Sequence, residues 1–92
     1  VKVIQKHALS EGMGSYSSLS LPFGSKFAAV GYEADQLFAY TEGQPWGGSY
    51  VYWEVQCVRE GESFNDGMQF IGMVDDRMNP GVKLFVVGRI NG

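Results

Sequence analysis

The chain has little to do chemistry with. It holds one cysteine, Cys57, and one histidine, His7, in 92 residues. A lone cysteine excludes an intramolecular disulfide, and with it the stapled secreted scaffolds that small domains often use. A reducing cytosol fits that usage best. One His and one Cys also leave too few ligands for a tetrahedral zinc site within one chain. A nucleophile needs a paired base, and nothing in the pattern sets a serine beside His7, which falls inside a strand. No catalytic residue, metal or cofactor is therefore expected. Charged residues make up only 18% of the chain and sum to −3, which excludes the basic face that a DNA or RNA binder needs. No apolar run approaches the ~20 residues of a membrane span. The N-terminal Val1–Ser10 carries Lys2, Lys6 and His7, unlike a signal peptide.

Glycine and aromatic side chains are plentiful. Thirteen glycines punctuate short runs rich in Val, Ile, Phe, Tyr and Trp, and aromatics reach 14%. No window of helical length keeps a 3.6-residue period without interruption. The expected fold is all-β: a single domain over 1–92, forming an antiparallel sandwich or strongly curled sheet of about seven strands with little or no helix. The expected strands are Lys2–Leu9, Leu19–Leu21, Lys26–Ala34, Gln36–Glu42, Tyr50–Glu60, Met68–Val74 and Val82–Ile90. Ser10–Ser18, Gly43–Ser49, Gly61–Gly67 and Asp75–Gly81 read as loops. In Lys26–Ala34, simple alternation sets Phe27, Ala29 and Gly31 against Ala28, Val30 and Tyr32. A tight turn at Ala34-Asp35 makes a hairpin. In Tyr50–Glu60, the set Val51, Trp53, Val55 and Cys57 reads as the core face, which turns Tyr50 and Tyr52 outward.

Carboxylate pairs and glycine doublets carry less. Asp75-Asp76 precedes Asn79-Pro80-Gly81 and reads as turn chemistry. Gly12-Met13-Gly14 and Gly47-Gly48 have no helix after them, so neither is a phosphate loop. Cys57 reads as a small buried hydrophobe.

Two features stand out. Both faces of the hairpin Lys26–Glu42 are apolar or aromatic, with Phe38 and Tyr40 opposite Leu37 and Ala39. Either a second sheet or a second subunit has to cover the spare face, and a homo-oligomer is expected. The cations Lys26, Arg59, Arg77 and Arg89 lie at strand ends or in turns, near loops that carry Tyr16, Trp46 and Phe64. Planar cations and rings at a sheet rim suit a ligand with bases and phosphates. The same positions also suit an ordinary solubilising rim.

The stretch Leu19–Tyr40, LSLPFGSKFAAVGYEADQLFAY, resembles a family of short phage and prophage β proteins. Leu21, Pro22, Gly24, Ser25 and Lys26 carry its Leu-Pro-x-Gly motif. Gln69–Val74 is similar to its aromatic-Ile-Gly strand, and Val82–Ile90 to its closing strand. The chain departs from the family at Arg59–Ser63, where a Gly-Thr-Gly-His-like turn is common, and in the length of Ser10–Ser18. The resemblance implies an anti-defence protein in the host cytoplasm. It would act as an oligomeric sponge that sequesters a cyclic nucleotide or ADP-ribose-type signal without cleaving it. The ligand would be held by the rim and not by a family site: bases would stack on Tyr16, Trp46 or Tyr50, and phosphates would pair with Lys26, Arg59 or Arg77. An inhibitor that binds a host nuclease or CRISPR effector, or a small phage assembly component, is the alternative.

Overall fold

Alternating side chains bury one face of each strand, and here two sheets bury those faces against each other. A computed structural model describes residues 2–12, 14–44 and 48–91. Among them lie β1 (Val3–Leu9), β2 (Tyr16–Pro22), β3 (Lys26–Glu33), β4 (Gln36–Gly43), β5 (Tyr50–Arg59), β6 (Gln69–Asp75) and β7 (Lys83–Ile90), with no helix. One sheet has the order β1-β4-β3 and the other β2-β5-β7-β6, with every neighbour antiparallel. The small β-sandwich expected from the sequence is the fold.

The core lies between the sheets. Leu9, Leu37 and Ala39 meet Leu19, Leu21, Val55, Cys57, Leu84 and Val86, with Phe27, Val30, Tyr32, Trp53 and Ile71 packed around them. Phe27 and Trp53 meet edge-to-face, with centroids 5.1 Å apart and planes at 86°, the arrangement that ring quadrupoles favour. His7 shares a hydrogen bond with the buried Thr41 Oγ1 at 3.0 Å. Burial pushes its imidazole below the ordinary pKa, so it is a neutral strand-face residue.

Three details differ from the alternation read along the chain. β2 begins at Tyr16, so the first loop is shorter than Ser10–Ser18. Tyr16-Ser17-Ser18 is polar enough to read as loop, yet it pairs with Gln56, Val55 and Glu54. In β3, the register shifts between Phe27 and Ala29. This bulge takes up one residue and changes the phase, so Phe27 shares the core face with Val30 and Tyr32 rather than with Ala29 and Gly31. The two-residue turn at Ala34-Asp35 is as expected; Ala34 sits at φ 54°, a conformation that glycine takes at less cost.

A second bulge, between Phe70 and Gly72 in β6, turns Ile71 inward. It also brings Gly72 against β3. A Cβ on Gly72 would lie 2.5 Å from Val30 Cγ2 and 3.4 Å from Val30 Cβ. Val30 is stiff at χ1 and has no easy retreat. Gly72→Ala is therefore expected to cost about 1–3 kcal/mol by forcing the β3–β6 seam apart, and a urea titration measures it. Val30→Ala in the same chain should recover part of that loss.

β5 and β6 run parallel, one on each side of β7. Residues 60–68 must therefore cross the sheet to reach the next strand. Asn65 Nδ2 donates to Tyr16 Oη at 2.7 Å, which places the crossing on the sheet's outer face. Val58 and Val87 are on that face by register, and both are buried.

Candidate functional site

The strand register sorts the expected ligand residues onto opposite ends of the sandwich. Tyr16 pairs with Gln56 and Pro22 with Tyr50, so Tyr16 and Tyr50 stand six residues apart along β5, roughly 20 Å. Arg59 is nine residues from Tyr50, roughly 30 Å. Lys26 starts β3 opposite Glu42, at the Tyr50 end. Arg77 follows β6 and reaches the β3–β4 turn, at the Arg59 end. Trp46 lies outside the described residues. Lys26 and Tyr50 thus share one end, and Arg59 and Arg77 the other.

At the Arg59 end the cations are already engaged. Arg59 Nε donates to Asp76 Oδ2 at 2.8 Å. Asp76 is buried and also accepts from Met78 N at 2.9 Å and Asn79 Nδ2 at 3.0 Å. Burial alone would raise its pKa. Hydrogen bonds from Asn79, Met78 and Arg59 outweigh that and hold its carboxyl below the usual range. Arg77 donates to Ala34 O, lies 3.4 Å from Asp35 Oδ1, and stacks over the Tyr32 ring at 4.8 Å. Tyr32 in turn donates to Glu11. Its burial and that contact push its hydroxyl up to about 12. This is a network of paired groups tying four loops and turns together.

A cleft of about 490 Å³ opens nearby, along β5 past the last β2 pair, where Gln56, Cys57, Val58 and Glu62 line it. Gln56 Oε1 is buried there without a partner, and Glu62, whose Oε1 accepts from Arg59 N, sets a carboxylate in the wall that disfavours phosphate. Burial pushes the Cys57 thiol up to about 12, so the thiol form dominates at pH 8. Alkylation of the native protein is expected to run about 10³-fold slower than of the urea-unfolded chain; mass spectrometry of timed samples measures it. Equal rates would show Cys57 to be open.

The Tyr50 end has the opposite character. A cleft of about 500 Å³ is lined by Lys2, Phe23, Gly24, Lys26, Glu42 and Gln44, within the usual range of ligand pockets. Its tip is the turn Pro22-Phe23-Gly24-Ser25. Ser25 N donates to Pro22 O at 3.0 Å, and Gly24 takes φ +88°, as position three of a type II turn requires. That turn holds the Phe23 ring out of the core, 73% exposed. Phe23 N donates to Ser49 O at 2.9 Å, which ties the turn to the residue before β5. Lys2 Nζ lies 3.8 Å from Glu42 Oε1, and Lys26, opposite Glu42 in the strand register, lines the same cleft.

Lys26 and Tyr50 were legible as rim residues in the sequence. Phe23 and Lys2 were not. An aromatic ring in a Pro-x-Gly turn has no core to enter, and that was the available signal for Phe23. Lys2 joins the cleft only through the β1–β4 register, which the sequence does not display.

Among the described residues no group of three or more His, Cys, Asp or Glu is placed to hold a metal. No protein-family model, characterised protein or solved structure matches the chain with significant similarity.

Proposed function

We propose that the chain is a binding protein that sequesters a signalling nucleotide, of the kind a phage uses against host defence in the host cytoplasm. The single observation behind this is the cleft at the Tyr50 end, where the open Phe23 ring stands with Lys2 and Lys26 around about 500 Å³ of space. A base stacks on the ring, and the ammonium groups meet phosphate as point charges. The resemblance of Leu19–Tyr40 to short phage proteins points the same way, since its Leu-Pro-x-Gly motif is the turn that carries Phe23. Arg59 and Arg77 have no part in this site, because carboxylate and carbonyl groups of the chain already occupy them.

Calorimetry against cyclic di- and trinucleotides and cyclic ADP-ribose isomers tests the reading. At least one is expected to bind with Kd of about 1 µM or tighter, about −8 kcal/mol, and to be recovered intact afterwards. Silence across the panel, or recovery of a cleaved product, overturns it.

A further inference from the structure

The cleft that carries Phe23 has a neighbour. At the same end of the sandwich, where β3 meets β6, a second cleft of about 290 Å³ is lined by Ser25, Lys26, Phe27, Trp53, Gln69 and Phe70. Alone it falls just short of the ~300–1,000 Å³ of a ligand pocket. The two clefts adjoin, because Lys26 lines both. Ser25 lines the second and lies against Gly43 of the first, where an added Cβ would overlap Ser25 Oγ. Ser25 and Lys26 therefore form the ridge between them.

Each part of this surface has a chemistry. Phe70 stands on the edge strand β6 with its ring 66% exposed. Phe27 and Trp53, locked edge-to-face and packed on the core, supply an apolar wall. Gln69 is exposed, and its amide carries both donors and an acceptor. A heteroaromatic base uses all three: a ring to stack on, an apolar wall and an amide for its polar edge. The ridge offers an ammonium and a hydroxyl, both donors to a phosphate oxygen. Among the described residues Lys26 is the only charged group lining the second cleft, so no carboxylate there opposes an anion.

The order across this end is thus ring, phosphate donors, ring. We propose that the ligand class is a dinucleotide, with one base on Phe23, the other on Phe70 and a linking phosphate on the Ser25–Lys26 ridge. The inference rests on the nucleotide reading above and narrows it: a ligand with one base, such as an ADP-ribose isomer, leaves the second cleft unused. A tethered second base arrives at high effective concentration, so its contact adds to affinity without a second association cost.

Calorimetry of the full chain with cyclic di-AMP, cyclic di-GMP and the linear adenine and guanine dinucleotides, beside AMP and GMP, is the test. One dinucleotide is expected per chain, at least about 10-fold tighter than its own mononucleotide. Phe70→Ala should remove that gain and leave the mononucleotide affinity unchanged, whereas Phe23→Ala should weaken both. Gln69→Ala keeps the Phe70–Phe85 ring contact and decides the matter should Phe70→Ala unfold. A dinucleotide no tighter than its mononucleotide overturns the inference and leaves the nucleotide reading standing. So does a tight dinucleotide indifferent to both Phe70→Ala and Gln69→Ala, or one ligand shared between two chains. Binding of an ADP-ribose isomer alone also overturns only the inference, and silence from every nucleotide overturns both.

Discussion

Asp76→Ala is expected to remove about 3 kcal/mol of stability, measured by urea unfolding. Asp76 is buried and accepts three hydrogen bonds, from Arg59 Nε, Met78 N and Asn79 Nδ2. Its own N–H donates to Val82 O at 2.9 Å. The side chain therefore closes the turn after β6 and fastens it to the end of β5. Truncation leaves a partly buried guanidinium and two donors without an acceptor, and that loss exceeds the net worth of the pair. The ion pair also sets a pH dependence. Asp76 has a folded pKa below its unfolded value near 3.9. Its contribution is thus complete above that unfolded value and is lost as pH falls through the lower folded one. The melting temperature of the native chain should fall over that interval more steeply than that of Asp76→Asn. Parallel profiles would show that Asp76 does not carry the acid sensitivity.

Leu37→Ala is expected to cost about 3–4 kcal/mol. Leu37 has no exposed surface and faces inward from the middle strand of its sheet, between Leu9 of β1 and Tyr32 of β3. A chain of this size has only about 5–14 kcal/mol of net stability, so one such cavity removes a large share. A fall in melting temperature of about 15–25 °C follows. Ile4→Ala, on the exposed face of β1, should change stability by less than about 0.5 kcal/mol. Similar losses from the two variants would contradict the assigned inner and outer faces.

The architecture was legible where alternation is clean. In β5 the inward set Trp53, Val55 and Cys57 and the outward pair Tyr50 and Tyr52 stand as the period of two dictates. Alternation fails at bulges, since one extra residue inverts the faces, as between Phe27 and Val30. It fails again where a polar strand such as Tyr16-Ser17-Ser18 is recruited by a long neighbour. It is also silent on covering. Val58 and Val87 alternate outward yet are buried, on the face that residues 60–68 cross. The rim cations were visible too, but their partners were not. Asp76 is 17 residues from Arg59, and the carbonyl that Arg77 reaches is 43 residues away. The six rim residues read as one set because sequence gives strand ends without saying which end of the sandwich each occupies.

The cleft between Phe23, Lys2 and Lys26 is the center of the functional account, and a ¹⁵N-labelled chain titrated with the nucleotide that calorimetry selects reads it most directly. Amide shifts are expected at Phe23, Gly24, Lys26 and Gln44, with Arg59 and Arg77 unmoved, and Phe23→Ala with Lys26→Glu should abolish them. Shifts centered on Arg59 and Arg77, or none at about 1 mM ligand, would contradict the account.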